Sequence, residues 1–481
     1  MDSLDNLFEY IQKLQKDVDE SFEDVDFYNS FSFIEMFEKE REINFSCYEL
    51  DIFEQVAIIK KNPDKNRFEI EIKNIFFDVK KLYSLDLIID KKNYHIEGVQ
   101  FCTRPAKFIK NEENNVFEGQ IIFYSYITSL CSGDFSLNCF NRCVIETPKF
   151  ILSDYLQSNS FRFEGSLRAT GNFRFTFNKQ EFRIINFNNG KSDYIIIDSL
   201  DMINHNEFQL IVNSILICVG FITTNYYQNE CYYFQSAQEN FLNPDVYYKT
   251  LSKSILPEAN YNPIYRNPYE DELIVFNREN FESLIGHVYR NDEFNYLILL
   301  FIEANNATLT LQPAGYSVAL EKLTNIIALE NNNLQPIEDK KKARIFIKKL
   351  NAVLEDCKNF IDENGSQDAF QILQKNIQNI NKPTNKEKLL KPFEIYNVCL
   401  TKEDKKAIGA RNDFLHGRTL RGEDNKIAQL EIFETSLRLN KVLNMLILKY
   451  IGYKGNMINY VKYYEKILRK NIEEDLFVNL N

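Results

Sequence analysis

The sequence predicts an α+β protein of two domains, in which an antiparallel β-rich domain of sandwich or barrel type with a few helices precedes an all-α helical bundle. Three observations support this prediction. Apolar residues alternate with a period of two from about residue 45 to 200, and they follow the helical period of about 3.6 beyond about residue 280. Between these regions, Pro257, Pro263 and Pro268 mark an irregular connector. We therefore expect domains at residues 1–255 and 281–481, joined by a connector at residues 256–280.

The alternation is clearest in two short segments of the first domain. In NRFEIEIK (residues 66–73) and NFRFTFN (residues 172–178), apolar side chains alternate with polar or charged ones, which predicts half-buried strands. The Asn188-Asn189-Gly190 stretch before DYIIID predicts a hairpin turn, because Asn and Gly tolerate a positive φ.

Two apolar segments bear on the cellular location of the chain. The run FQLIVNSILICVGFIT (residues 208–223) is shorter than the roughly 20 apolar residues of a membrane span, which predicts a buried core helix. The first 14 residues predict an amphipathic helix with acidic residues where a signal peptide carries basic ones. The nine cysteines lack the spacing of a zinc site, and no phosphate-binding loop is present. We expect a cytoplasmic protein without a cofactor or metal and without a membrane partner.

Charge is distributed unevenly along the chain. Residues 311–481 contain 28 Lys and Arg against 22 Asp and Glu, whereas the remaining residues contain 29 against 47, for a formal net charge of −12 over the whole chain. An acidic amino-terminal part is poorly suited to coat nucleic acid, whereas a mildly basic carboxy-terminal part can meet phosphates locally. On charge alone, an ordinary solvated surface is the favoured explanation of the basic balance in residues 311–481.

The segment TKEDKKAIGARNDFLHG (residues 401–417) predicts a helix with defined ends. Thr401 and Asp404 are spaced as in a capping box, so we expect the helix to begin at about Lys402. Gly417 is suited to end the helix in the left-handed conformation. His416 is therefore expected in the last turn.

Arg411 lies in the middle of the apolar stripe of this predicted helix. Helical spacing puts it among Ala407, Ile408, Phe414 and Leu415, where a guanidinium is costly unless it is paired. Asn412 and His416 are spaced i, i+4 at the edge of the same stripe, within reach of the long arginine side chain.

These three residue types suit metal-independent cleavage of RNA. A histidine can move a proton to or from the reacting oxygens, while an arginine holds the scissile phosphate as negative charge builds. Attack by the ribose 2′-OH gives a 2′,3′-cyclic phosphate and a 5′-OH. Since one histidine does not easily serve as both base and acid, we expect a homodimer across the Arg411/His416 helix.

ARNDFLHG resembles the Arg-polar-x3-His motif of HEPN ribonucleases, and the flanking helices resemble the ApeA-type HEPN family of prokaryotic anti-phage proteins, which also joins a β-rich amino-terminal domain to a helical one. The resemblance implies a HEPN-like bundle, an endoribonuclease that acts in abortive infection, and tRNA as the RNA. It further implies that Arg411 binds phosphate, His416 performs acid/base chemistry and Asn412 orients them.

Further residues have weaker assignments. Glu321 is a candidate supporting acid, but it projects away from the apolar stripe of its own helix, so a solvated surface role is favoured. Arg418 and Arg421 are candidate RNA contacts, or they stabilise the carboxyl end of the helix. His95, His205 and His287 are expected to be structural. The β-rich domain is expected to sense a phage-derived trigger.

One alternative remains open from the sequence. In that alternative, the protein is a non-catalytic dimeric interaction or regulatory protein with an inactive HEPN-like bundle. Arg411 is then a buried, paired residue of an interface, and the β-rich domain binds carbohydrate or protein. Replacing His416 by alanine separates the two hypotheses, since only a nuclease loses activity with its fold intact.

Overall fold

The structure is a computed structural model. It describes residues 23–36, 40–62, 67–110, 117–147, 152, 155–156, 159–163, 167–227, 230–250, 261–264, 276–331, 335–382, 385–415 and 425–481. The described residues form a mixed α+β protein, as predicted, and divide into two compact units. Among the described residues, those from 23 to 250 and from 276 to 289 belong to the β-rich unit, and those of 261–264 and from 290 onward belong to the helical unit. The amphipathic helix predicted at residues 1–14 lies outside the described residues.

Seventeen described strands belong to the β-rich unit. They are β1 (Glu23–Val25), β2 (Arg41–Cys47), β3 (Ile52–Asn62), β4 (Arg67–Lys73), β5 (Tyr83–Ile89), β6 (Lys92–Val99), β7 (Cys102–Lys110), β8 (Phe117–Ile127), β9 (Ser129–Cys131), β10 (Asn138–Thr147), β11 (Asn159–Phe163), β12 (Leu167–Phe177), β13 (Gln180–Asn188), β14 (Asp193–Ser199), β15 (Ile203–Asn204), β16 (Glu230–Ser236) and β17 (Asp245–Thr250). The same unit contains the 3₁₀ turn Tyr48–Leu50 and the helices α1 (Tyr28–Met36), α2 (His205–Thr223) and α3 (Arg278–Arg290).

The strands pair in one continuous run. Its order is β1-β11-β12-β13-β14-β10-β16-β17-β9-β6-β5-β2-β3-β4-β8-β7, with β15 beside β10, and the pairs are antiparallel except β1 with β11. Inner faces of the early and late strands share one hydrophobic core, to which Phe45, Ile70, Ile196 and Phe234 contribute. The predicted turn at Asn188–Gly190 connects β13 to β14, and Gly190 has a φ of +86°.

Strand β4 departs from the half-buried pattern that the sequence predicted. Phe68, Ile70 and Ile72 are buried as expected, but Glu69 and Glu71 are also buried. Arg104 on β7 donates to both carboxylates, and its Nη1 lies 2.8 Å from Glu71 Oε2. The second face of this strand is therefore covered by ion-paired side chains rather than by water. An alternating sequence pattern cannot distinguish these two environments.

Helix α2 is the predicted core helix. It is long and apolar enough to span a membrane, but 67% of its apolar window is buried. The side chain of Asn204 caps its first turn by accepting from the backbone N–H of Asn206. The helix contacts β10 and β15 of the sheet. The prediction of a buried core helix is confirmed.

Helix α3, which the sequence analysis assigned to the bundle, packs on the sheet instead. The ring of Phe281 stands edge-on to Phe173 and Phe175 of β12, with centroids 5.2 and 5.3 Å apart. Within the connector, Tyr261–Ile264 belongs to the helical unit, where Tyr460 Oη donates to the carbonyl of Asn262 over 2.7 Å. Tertiary packing thus distributes the connector between both units.

The helical unit contains ten described helices and a two-stranded antiparallel sheet. The helices are α4 (Asp292–Asn306), α5 (Gln312–Glu330), α6 (Lys340–Asp356), α7 (Lys358–Asn364), α8 (Ala369–Asn379), α9 (Asn385–Ile395), α10 (Lys402–Leu415), α11 (Asn425–Tyr450), α12 (Tyr460–Tyr463) and α13 (Glu465–Leu468), and the strands are β18 (Asn456–Ile458) and β19 (Phe477–Asn479). Helix α5 packs against α4, α9, α10 and α11, so it forms the centre of the unit. This packing brings α10, with its RNDFL sequence, onto the central helix.

Candidate functional site

Helix α10 begins where the sequence predicted. The backbone N–H of Asp404 donates to Thr401 Oγ1, and the backbone N–H of Thr401 donates to Asp404 Oδ2, both over 3.1 Å. This reciprocal pair satisfies two backbone donors at the helix start, and the helix runs from Lys402 to Leu415. The predicted capping box is confirmed.

The buried stripe of α10 carries charged residues as well as apolar ones. Asp404, Ala407, Ile408 and Arg411 are all buried, at spacings of three and four residues. Phe414 continues the stripe and is half-buried. The prediction that Arg411 projects from the middle of a packing surface is therefore confirmed.

Arg411 is paired with Glu321 of the central helix α5. Arg411 Nη1 donates to Glu321 Oε2 over 3.0 Å. The two side chains differ in exposure, since 6% of the arginine side chain is accessible to solvent and 49% of the glutamate side chain. The Arg411 guanidinium is therefore buried, whereas the Glu321 carboxylate is about half exposed to solvent. We call this arrangement a half-open pair.

The half-open geometry has a chemical consequence. A guanidinium has five N–H donors in a planar fork that matches carboxylates and phosphates equally well. An incoming phosphate can reach the exposed carboxylate side of the pair and compete for the same donors. The Glu321 carboxylate can also fix the plane of the guanidinium, and this orienting role is one that the sequence analysis did not predict for it.

The other end of α10 is fixed by a closed network of charges. Asp404 accepts from Arg438 Nη1 over 3.2 Å and from Lys441 Nζ over 2.8 Å, both on α11. Glu474 accepts from the same two side chains over 2.9 and 2.7 Å. Arg438 Nε donates to Glu434 over 3.0 Å. Each buried charge in this network has an opposite partner, so the network is suited to positioning rather than to chemistry.

The pKa shifts in this network follow the same logic. Burial acts to raise the pKa of Glu474, but the hydrogen bond and charge of Lys441, with those of Arg438, outweigh it and keep the pKa below its ordinary value. Burial likewise acts to raise the pKa of Glu434, and the hydrogen bonds from Lys470 and Arg438 lower it overall. Both carboxylates therefore remain ionised.

Several predicted site residues cannot be located. His416, Gly417, Arg418 and Arg421 lie outside the described residues. The backbone of Asn412 belongs to α10, but its side chain also lies outside the description. Of the candidate site residues, the structure thus brings together Arg411 and Glu321.

The remaining histidines have local partners. His205 lies buried in the β-rich unit, where Nδ1 is 3.2 Å from Asn141 Oδ1 and Nε2 is 2.7 Å from Gln209 Nε2. Since the Asn141 amide nitrogen donates to two backbone carbonyls, its oxygen is the acceptor and His205 Nδ1 carries the proton. Burial lowers the pKa of His205 to about 4. His95 is exposed beside Asp86, 2.7 Å away.

The residues that sequence reasoning missed are Arg438, Lys441 and Glu474. A signal was present for the first two, because they are the two charged residues of the mainly apolar run SLRLNKVLNMLIL and are spaced i, i+3. The Glu474 partner has no such signal, since it lies in a short carboxy-terminal segment without regular secondary structure. Among the described residues, no group of three or more His, Cys, Asp or Glu side chains forms a potential metal site.

Comparison with known proteins adds no relative. No family model, no curated protein and no solved structure matches this chain.

Proposed function

We propose that the protein is a metal-independent endoribonuclease whose site is built on helix α10. The observation that carries this proposal is the buried Arg411, held by a carboxylate that opens to solvent. In this proposal the guanidinium binds the scissile phosphate and stabilises the charge that develops during attack by the 2′-OH. His416 transfers protons, Asn412 orients the substrate or the pair, and Glu321 holds the guanidinium plane.

The proposed reaction balances without a co-reactant. The ribose 2′-oxygen forms a bond to phosphorus and loses its proton, the bond from phosphorus to the 5′-oxygen breaks, and that oxygen gains a proton. The products are a 2′,3′-cyclic phosphate and a 5′-OH. A second copy of the motif supplies the second proton-transfer group if the protein dimerises across α10.

The biological role follows from the resemblance of ARNDFLHG to HEPN motifs. We propose tRNA as the substrate, a cytoplasmic location, and action in abortive infection with the β-rich unit as the sensor of a phage-derived trigger. The test in cells compares phage plating on hosts that express wild-type or His416→Ala protein. Equal protection by both proteins would contradict the catalytic part of the proposal.

The first experiment incubates full-length protein with total tRNA in excess EDTA. We expect wild-type protein to give fragments with 5′-OH ends that accept phosphate from a kinase, and with cyclic ends that resist phosphatase. His416→Ala is expected to give none, while His95→Ala, which changes an exposed histidine of the β-rich unit, cleaves as wild type does. The assay is repeated with extract from infected cells to supply a trigger.

Two results would overturn the proposal. One is intact tRNA with wild-type protein in both forms of the assay. The other is equal cleavage by wild-type and His416→Ala protein. Circular dichroism and the melting temperature of each variant establish that the folds are comparable.

A second candidate function is a non-catalytic interaction protein with an inactive bundle. It is favoured by one specific observation, namely that Arg411 is charge-paired within its own chain and so needs no phosphate. Under this alternative, Arg411→Lys changes stability or self-association and no preparation cuts RNA. Under the nuclease proposal, the same variant keeps its fold and loses most of its cleavage rate, because a lysine lacks the planar fork.

A further inference from the structure

An arm of three helices extends the helical unit at residues 335–382. It consists of α6, α7 and α8, which pack mainly on one another. Asn381 closes its base, because its side chain accepts from the backbone N–H of Ile337 over 2.8 Å and donates to the carbonyl of Ile337 over 3.1 Å. The arm is therefore a built element with a fixed beginning and end.

The arm buries very little of its apolar surface. Within its three helices, Ala343 and Leu354 are the buried side chains. Large apolar side chains are exposed instead, namely Ile345, Phe346, Val353, Phe360, Ile372 and Leu373. Helices in proteins gain most of their stability from burying an apolar face. The exposed apolar face of the arm therefore indicates a binding surface for a partner.

Three of the exposed apolar residues are spaced by seven. Phe346, Val353 and Phe360 are 43%, 59% and 69% exposed. Helical hydrogen bonding continues from α6 to α7 through Cys357, whose N–H donates to Val353 and whose carbonyl accepts from Ile361. The three residues therefore form one stripe along a nearly continuous helix, which is the spacing of a two-helix seam.

A column of charges runs beside this stripe. Lys342, Lys349, Asp356 and Glu363 are exposed and also spaced by seven, at about 60° around the helix from the apolar stripe. The order of charges along the column is basic, basic, acidic, acidic. More widely, residues 340–349 contain six basic residues and no acidic one, whereas residues 350–368 contain five acidic residues and one basic.

This order of charges opposes the stability of the isolated helix. The positive end of a helix dipole is its amino terminus, so basic residues there and acidic residues at the carboxyl end are each unfavourable by roughly 0.3–1 kcal/mol. Helix α6 has this unfavourable arrangement at both ends. An antiparallel helix with the same sequence reverses the balance, because its acidic end meets the basic end of the first.

We propose that the arm is the contact between two copies of this chain, which pair antiparallel about a two-fold axis near Val353. Phe346 of each copy packs on Phe360 of the other. Lys349 meets Asp356 of the second copy, and Lys342 meets Glu363. Phe346 and Phe360 are each seven residues from Val353, and both charge pairs are centred within one residue of Val353, so one two-fold axis can pair the stripe and the charge column together.

Neither a nucleic acid nor an anionic membrane has charges that complement the whole of this surface. A nucleic acid or an anionic membrane attracts residues 340–349 but is repelled by the acidic half of the same column. The inference does not depend on the proposed ribonuclease activity, since it concerns a surface distinct from α10. It also differs from a dimer across the Arg411/His416 helix, which arm variants would leave intact.

The test exchanges the charges of the column in full-length protein. One variant, Lys342→Glu with Lys349→Glu, makes the column wholly acidic, and the other, Asp356→Lys with Glu363→Lys, makes it wholly basic. We expect a wild-type dimer by analytical ultracentrifugation, with a dissociation constant that rises by more than about tenfold in each variant. Mixing the two variants should produce a heterodimer, and all four changes in one chain should restore the homodimer.

The outcomes separate the occupants. A wild-type monomer, or self-association whose stoichiometry and dissociation constant are the same in wild type and both charge variants, overturns the proposal. RNA binding by the wild type that is lost in the acidic variant, with self-association unchanged in both variants, assigns the surface to nucleic acid instead. The matched control is Lys80→Glu with Lys81→Glu, two exposed lysines of the β-rich unit, which should leave the dimer unchanged. Val353→Glu on the proposed axis gives a second, independent disruption.

Discussion

The β-rich unit and the helical unit both bury arginines, but they surround them differently. In the β-rich unit, Asp198 accepts from Arg142 Nε over 2.7 Å and from Arg183 Nε over 2.8 Å, and all three residues are buried. Arg142 also lies over the rings of Phe27 and Phe241. In the helical unit, the carboxylate partner of Arg411 is half exposed.

The difference indicates which arginines are suited to bind a ligand. Burial acts to raise the pKa of Asp198, but the charges of Arg142 and Arg183 lower it below its ordinary value, so the carboxylate stays ionised inside a closed cluster. No ligand can reach such a cluster without unfolding part of the unit. A half-open pair can exchange partners at the surface. Closed clusters should therefore dominate stability, while the half-open pair should affect stability little.

The largest effect is expected for Asp198→Asn. The change removes the buried negative charge that Arg142 and Arg183 share, and it should lower the free energy of unfolding of the β-rich unit by roughly 4–5 kcal/mol. Urea unfolding followed by tyrosine fluorescence measures it. Glu239→Gln makes the same chemical change at an exposed position and should be neutral. A loss below about 1 kcal/mol in Asp198→Asn would contradict the view that closed clusters dominate.

The corresponding change in the helical unit is Asp404→Asn. Arg438 and Lys441 lose one of their shared carboxylates but retain Glu474, so we expect a smaller loss of roughly 3 kcal/mol. Far-ultraviolet circular dichroism during urea unfolding reports it, since this unit holds most of the helices. Glu403→Gln, at the exposed neighbouring position, is the matched control. Equal stabilities of Asp404→Asn and Glu403→Gln would contradict the assignment of Asp404 to the network that positions α10.

The third prediction concerns pH and a buried neutral group. The pKa of His205 is lowered from 6.5 to about 4. Between these pH values, His205 is therefore protonated in the unfolded chain but neutral in the folded chain. Stability should therefore fall as the pH is lowered across this window, by no more than roughly 3 kcal/mol. His205→Gln should flatten the pH dependence there, whereas exposed His95→Gln should keep it. An unchanged slope in His205→Gln would show that other groups cause it.

The smallest effect is expected for Glu321→Gln. Because half of this side chain is exposed, solvent screens its attraction to Arg411, and the loss of stability should stay below about 1 kcal/mol. Thermal unfolding measures the change, and Glu293→Gln, which alters another exposed carboxylate of the helical unit, serves as the control. A loss as large as that of Asp404→Asn would mean that the Arg411 pair belongs with the closed clusters.

Sequence patterns predicted those features that depend on neighbours along the chain. The capping box at Thr401 and Asp404, the turn at Asn188–Gly190, the buried helix His205–Thr223 and the position of Arg411 on a buried stripe all follow from local spacing. Each depends on contacts within one turn or on helical periodicity, which a sequence displays directly.

Features that depend on distant partners were missed or misassigned. Glu69 and Glu71 were read as the exposed side of a strand, but Arg104 from another strand covers them. Helix α3 was assigned to the bundle because its periodicity is helical, yet Phe281 packs on the sheet. Periodicity reports which face of an element is apolar, and it does not report which element covers that face.

The sequence alone therefore determined the α+β class, the start of helix α10 and the burial of Arg411, because these are set by backbone capping and side-chain spacing. Only the tertiary structure decided that Glu321 pairs with Arg411 and that Asp404 is enclosed by Arg438, Lys441 and Glu474. The partners of these charges lie up to 90 residues away along the chain. The sequence indicates that a charge on an apolar stripe needs a partner, because an unpaired buried charge is costly. Only the tertiary packing determines which residue is that partner.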